Sequence, residues 1–346
     1  MTPKRNSRGF AATALTVWCA AFSFSPEAHA QVGFAGIRID ENLGFPTMTV
    51  TGAVGSVCEI KYKDSLVPGL AWDILKSEEL GAASIQIQDQ SSPLPNSRFY
   101  SIYYVGMRPT NMVFVPPQTF TMGSPTNELG RAVDEGPQTT VTLTRGFFIG
   151  MHEVTQGEYA SLVLTNPAFF QGDLGRPVER VSWADATNYC HLLTLRERQA
   201  GRLGEAWSYR LPTEAEWECA CRAGTTTRFS YGDDPTYSSL PNYAWHANNS
   251  ASATHPVGGR LSNPAGLFDM HGNVWAWCLD YYGLIYPGGS VVDPTGPGPS
   301  LTRIIRGGSW DNIPAWCRSA TRGNENPINR YDRIGFRVVL APPPGS

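Results

Sequence analysis

Charge is scarce in this chain of 346 residues. Asp, Glu, Lys and Arg together make 16% of it, where soluble domains carry about 25%. Neither sign dominates, since the net charge is −3 and the pI near 6.1. A basic nucleic-acid-binding surface is thereby excluded. No Cys-x-x-Cys pair occurs, which removes thioredoxin-like redox chemistry and zinc ribbons. No P-loop or dinucleotide fingerprint occurs either, because Gly307-Gly308 leads into Ser309-Trp310 and not into a phosphate-binding helix. His152-Glu153 begins like a zinc-protease motif but lacks the second His. His152, His191, His246, His255 and His271 have no metal-ligand spacing, and no Ser-His-Asp set stands out. Beyond the first thirty residues no apolar run is long enough to cross a membrane.

Glycine, proline and aromatic residues fill the space that charge leaves. The chain has 35 Gly, 27 Pro, 10 Trp, 14 Tyr and 15 Phe. So many helix breakers argue against a coiled coil or a long helical bundle. So many aromatics at so small a net charge argue against disorder. A loop-rich globular chain of one large or two smaller domains is expected.

The N-terminus reads as a secretory signal. Lys4, Arg5 and Arg8 form a positive region, a short apolar run follows, and Ala28-His29-Ala30 fits the cleavage pattern. Cleavage after Ala30 implies a secreted or periplasmic protein with no membrane span in the mature chain. Cys19 leaves with the signal, and Cys58, Cys190, Cys219, Cys221, Cys278 and Cys317 remain. An even count in an oxidising compartment favours disulfides. Cys317 is expected to pair with Cys221 or Cys278. The alternative is a free Cys317 whose thiol is made reactive by neighbouring arginines such as Arg318.

Four domain segments are expected: the signal at 1–30, a small β-sandwich-like module at 31–107, a main domain at 108–342 and a tail at 343–346. In the module, Thr47–Thr51, Val57–Tyr62, Ser84–Gln88 and Arg98–Tyr104 alternate with the period of a strand. In the main domain, Met112–Pro116 reads as a strand. Three capping boxes then start helices: Thr155 with Glu158, Ser182 with Asp185, and Thr213 with Glu216. The second helix should end at Gly201 and the third near Gly224. After Gly224 the helix signal fades, and the chain closes with the strand-like Ile334–Val339. Oxygen ligands crowd Asn242–Asn249 and Asp269–Asn273, with Asp280 beyond, a density that suits calcium.

The motifs in their order carry a resemblance. Val181-Ser-Trp-Ala-Asp-Ala186, Tyr209-Arg-Leu-Pro-Thr-Glu-Ala-Glu-Trp-Glu218, Gly272-Asn-Val-Trp275, Arg306-Gly-Gly-Ser-Trp310, Arg318-Ser-Ala320 and Gly335-Phe-Arg-Val338 resemble the formylglycine-generating enzyme (sulfatase-modifying factor) family over about residues 111–340. The resemblance implies an α+β fold, an elaborated C-type-lectin-like domain with low regular secondary structure, preceded here by the small all-β module. It implies an oxidoreductase acting on protein cysteine or thiol substrates through a copper-binding cysteine pair. The candidate catalytic residues are Cys317, Ser309 and Trp275. Asn312 holds the first cysteine position, two residues after Trp310, so the two-thiolate copper site cannot form here. The resemblance also implies two calcium sites. Asn242, Asn249 and the carbonyls of Tyr243 and Ala251 form one. Asp269 and the carbonyls of Gly272 and Val274 form the other. At the second, Ala276 stands where the family has an acid, unless Asp280 takes that part. Some relatives bind ligands without known catalysis. The two functions the sequence supports are therefore an oxidoreductase homologue and a calcium-stabilised binding module for a protein or glycan.

Overall fold

The structure is a computed structural model. It describes residues 111–203 and 207–342 throughout and, before them, the backbone of six strands. Residues 1–30, where the signal is expected, the Cys58 side chain and the tail 343–346 lie outside what is described. The chain divides into two compact units, Met1–Arg108 and Pro109–Ser346.

The first unit carries β1 (Gly33–Ile39), β2 (Pro46–Thr51), β3 (Ser56–Lys63), β4 (Asp73–Glu79), β5 (Ser84–Gln88) and β6 (Phe99–Met107). They form two antiparallel sheets of order β1-β2-β5 and β4-β3-β6. The four alternating segments of the sequence fall in β2, β3, β5 and β6.

The second unit is α+β with little regular structure. It begins with β7 (Met112–Val115), β8 (Gln118–Met122), β9 (Thr139–Leu143) and β10 (Phe147–Gly150). Helices α1 (Gln156–Val163), α2 (Trp183–Gln199) and α3 (Glu214–Arg222) follow, with β11 (Ser208–Arg210) between the last two. Each starts at the expected box. Thr155, Ser182 and Thr213 accept from the N–H three residues on, and Glu158, Asp185 and Glu216 bond back to the cap. The segment from Ala223 to Val274 holds only a 3-10 turn at Leu240–Asn242 among its regular elements. Then come β12 (Trp275–Tyr281), β13 (Ser290–Val292), β14 (Arg303–Arg306), β15 (Arg322–Glu325), β16 (Ile334–Phe336) and β17 (Val339–Ala341). Three sheets result, of order β11-β17-β10-β7, β15-β14-β12-β16 and β13-β9-β8. The β12–β16 and β13–β9 pairs are parallel.

Helix α3 holds this unit together. All nine of its residues are buried, although four of them are charged. It packs against β8, β12 and β14, and its acids are neutralised by arginines, two from far along the chain and one, Arg222, from its own last turn. Arg306 reaches Glu218 at 2.5 Å and Glu214 at 3.1 Å. Arg322 holds Glu214 at 2.7 Å, and Arg222 holds Glu218 at 2.8 Å. Buried charge persists only when paired in this way. The same logic governs Arg318, which joins Glu128 and Glu135. These ion pairs tie α3 to distant loops and lend the unit rigidity that its few regular elements do not.

Candidate functional site

The Gly-Gly-Ser loop follows β14 directly. Gly307 and Gly308 both have positive φ, at 103° and 78°. A Cβ on Gly308 would stand 2.9 Å from Cys317 Sγ and 3.0 Å from the Trp316 carbonyl oxygen, so only glycine fits. The Cys317 sulfur is thus enclosed by backbone on one side. On the other, Cys317 belongs to a buried cluster with Phe229, Leu240 and Ala244. Burial pushes its thiol up to about 12.

Neither expectation for Cys317 holds. Among the described residues Cys190, Cys219, Cys221, Cys278 and Cys317 are all free and buried, so the bridge to Cys221 or Cys278 is not formed. The His271 ring stands between Cys221 and Cys317. Its Nδ1–H donates to the Cys317 carbonyl at 2.9 Å, and its Nε2 accepts from Ser230 Oγ at 2.8 Å and lies 4.0 Å from Cys221 Sγ. Burial holds His271 down at about 4, so this ring is neutral. The reactive-thiol alternative fails because Arg318 and Arg322 are committed to Glu128, Glu135 and Glu214. Burial and the nearby Asp311 both disfavour a thiolate here.

The other two candidate catalytic residues are equally enclosed. Ser309 is buried, its hydroxyl 2.6 Å from Asp311 Oδ1 and 2.6 Å from Asn312 Oδ1. Trp275 is buried at the start of β12, its ring against Gly323 of β15. Ser309 and Cys317 share the loop, whereas Trp275 faces a different part of the core.

The expected calcium ligands fall on two neighbouring loops. Asn242 is exposed at the end of the 3-10 turn, and its carbonyl accepts from Leu261 N–H at 2.9 Å. Tyr243 follows it, stacked on Tyr231 at 4.1 Å. Asn249 is oriented by two 2.8 Å bonds, accepting from His246 N–H and donating to the Ala244 carbonyl. Ala251 has φ +52°. On the second loop, Asp269 is buried and Oδ2 accepts from Gly258 N–H at 2.7 Å, while Oδ1 has no hydrogen-bond partner. Burial raises its pKa. A buried, unpaired carboxylate oxygen beside an irregular loop is what a cation would satisfy, so the residues present fit calcium there. Gly272 is required for this loop, since a Cβ would fall 2.3 Å from the Trp245 carbonyl oxygen. Val274 N–H is held at 3.1 Å by Glu153, a buried acid whose pKa burial raises well above the ordinary value. Ala276 and Asp280 both lie on β12, and Asp280 is engaged by α3. Its Oδ2 accepts from Glu214 N–H at the start of α3, at 2.8 Å.

A third arrangement escaped sequence reasoning. Trp310 donates its indole N–H to the Asp332 carbonyl at 3.0 Å and meets Phe170 edge-on at 5.3 Å. Phe169 stands edge-on to Phe170 at 5.0 Å and is 60% exposed. Arg180 lies 6.0 Å from the Phe169 ring and donates its backbone N–H to the Tyr331 carbonyl. Arg333 lies 4.8 Å from the exposed Tyr331 ring and bonds Asp311. These contacts join three loops into one aromatic and charged face beside the Gly-Gly-Ser loop. Exposed aromatics with arginine are the side chains that recognition surfaces favour. Beneath the face, Glu179 Oε1 accepts the N–H groups of both Phe169 and Phe170, at 2.6 Å and 2.9 Å. The only sequence signal was the pair of adjacent phenylalanines in a Gly- and Pro-rich loop.

Residues 105–342 match the family model of the sulfatase-modifying factor enzyme 1-like domain. A formylglycine-generating enzyme of Streptomyces coelicolor is 37% identical over 186 residues, which cover 49% of this chain and 54% of that protein. The chain thus spans about half the length of that relative. Among solved structures, Treponema denticola variable protein 1 is 30% identical with a TM-score of 0.59, over 67% of this chain and 95% of that one. PvdO from Pseudomonas aeruginosa is 32% identical with a TM-score of 0.56, over 66% and 93% respectively.

Proposed function

The chain belongs to the formylglycine-generating enzyme (sulfatase-modifying factor) family, and from that premise we propose that it is an exported, non-catalytic binding module stabilised by calcium. One observation carries the reading: the single thiol near the Gly-Gly-Ser loop is wholly buried, with its pKa pushed up to about 12. A nucleophile or copper ligand must present a thiolate, and Asn312 holds the place of its partner. The oxidoreductase reading has the family match behind it and no residue of this loop.

The face around Phe169, Trp310 and Tyr331 is the ligand surface in this reading, and the ligand is a protein or a glycan. Aromatic rings supply contact area at low entropic cost, and the arginines supply direction. Calcium acts through structure: Asp269, with the carbonyls of Gly272 and Val274, would hold it and keep the loop ahead of β12 in place. Asn242, Asn249 and the carbonyls of Tyr243 and Ala251 would hold a second ion. The N-terminal signal reading supports export, and no helix among the described residues is long and apolar enough to cross a membrane.

Glycan and peptide arrays probed with the wild type and with the Phe169→Ala and Trp310→Ala variants test the proposal. Binding that both variants lose is the expected result. Binding that both variants retain removes this face from the proposal, and no binding on any array removes the binding reading.

A further inference from the structure

Glu179 is the one acid beneath the aromatic face whose second oxygen is left over. Oε1 takes two consecutive backbone N–H groups, and Oε2 is buried with no hydrogen-bond partner. Glu179 itself has no exposed surface. It lies directly after Pro177-Val178, a segment tied down by Val178 N–H on the Val154 carbonyl. Its own position is therefore fixed by the core. The loop it holds is fixed by less: Gln156 bonds the Phe170 carbonyl at 2.9 Å, and Asn166 bonds Gln156 Oε1.

We propose that Glu179 is the positioning residue of the aromatic face, a proton-dependent clamp. While its carboxyl is neutral it holds Phe169 and Phe170 against Trp310, and when the carboxyl ionises the loop opens more readily. The role of that face rests on the reading above, but the clamp itself does not.

The balance of forces gives the sign. An ionised carboxylate accepts the two N–H bonds well, and Arg180 also favours the charge. Burial opposes the charge more strongly, and Asp332 on the facing loop adds repulsion. With the loop closed, the carboxyl therefore keeps its proton up to about 7 instead of the ordinary 4.5. With the loop open, water reaches the carboxyl and it titrates as an ordinary one. The closed form binds the proton more tightly, so closing is fully favoured below 4.5. That extra stability is lost as pH rises from 4.5 to about 7, and the dependence is flat above. Each unit of difference between the open and closed values is worth about a factor of ten in the opening equilibrium.

Hydrogen exchange read on peptides covering residues 166–172, corrected for intrinsic exchange and followed from pH 4.5 to 8, tests the clamp. The wild type should show opening that rises about tenfold or more up to neutral pH and then levels. Glu179→Gln keeps the acceptor and removes the proton, so its opening should be independent of pH. Parallel profiles in the two proteins overturn the proposal. Should the variant not fold, the wild type decides alone, by comparison with peptides from α2. A rise shared equally by α2 overturns the clamp, and a rise confined to 166–172 supports it. No ligand enters the measurement, so it can fail while the binding reading stands, or the reverse.

Discussion

Replacing Arg306 with Met removes the cation at the centre of the domain. The guanidinium has no exposed surface. It bonds Glu218 at 2.5 Å and Glu214 at 3.1 Å, and it donates to the carbonyls of Ser319 at 2.8 Å and Ala320 at 3.3 Å. Methionine fills much of the same volume, so the cavity left is small. The loss is electrostatic. Removing one partner of a buried pair costs about 3–5 kcal/mol, because the remaining charge stays buried without compensation. Here both acids keep a second arginine: Glu214 keeps Arg322, and Glu218 keeps Arg222 and the Gly123 N–H at 2.8 Å. The low end of the range, about 3 kcal/mol, therefore applies. For a domain of this size each kcal/mol shifts Tm by about 2–4 °C. Differential scanning calorimetry of Arg306→Met should therefore show a Tm roughly 6–12 °C below wild type. A Tm within about 2 °C of wild type refutes the claim that this network is the keystone of the fold, since it corresponds to a loss of 1 kcal/mol or less.

Two further predictions follow from buried groups. Chelation should lower the Tm of the wild type by more than that of Asp269→Ala, which keeps only the site at Asn242 and Asn249, because the unpaired Oδ1 is the oxygen a cation satisfies. An equal response of the two proteins to chelation argues against this ligand assignment. Alkylation should leave Cys221 and Cys317 unlabelled in the native protein and label both after unfolding without reductant. Peptide mapping that finds a Cys221–Cys317 bridge contradicts the free thiols and the His271 ring between them.

The helix starts were legible in the sequence because a capping box is local, needing only a hydroxyl and an acid three residues apart. The family and its α+β class were legible because many short motifs recur in order. The state of α3 was not. Glu214, Glu216, Glu218 and Arg222 give it the look of a half-solvated helix, yet every one of its residues is buried. The arginines that permit this lie 92 and 108 residues away from Glu214, and nothing in the spacing announces them. Cys317 misled for the same reason. The arginine adjacent to it in sequence is turned towards acids at Glu128 and Glu135, so neighbourhood along the chain gave the wrong electrostatics. The aromatic face was hidden because it draws on three loops, the one carrying residues 169–180 and those around 310 and 331, joined only by the fold. Glu179 reads as an ordinary polar residue in Pro-Val-Glu-Arg and becomes distinctive only once both of its oxygens are traced.

The account rests on the claim that this member of the family binds and does not oxidise. The most direct test is an aerobic incubation of the purified protein, supplied with copper, with a Cys-x-Pro-x-Arg peptide, followed by mass spectrometry. The account predicts that the peptide cysteine is recovered unchanged. Conversion of that cysteine to an aldehyde, abolished by Cys317→Ser, would contradict it.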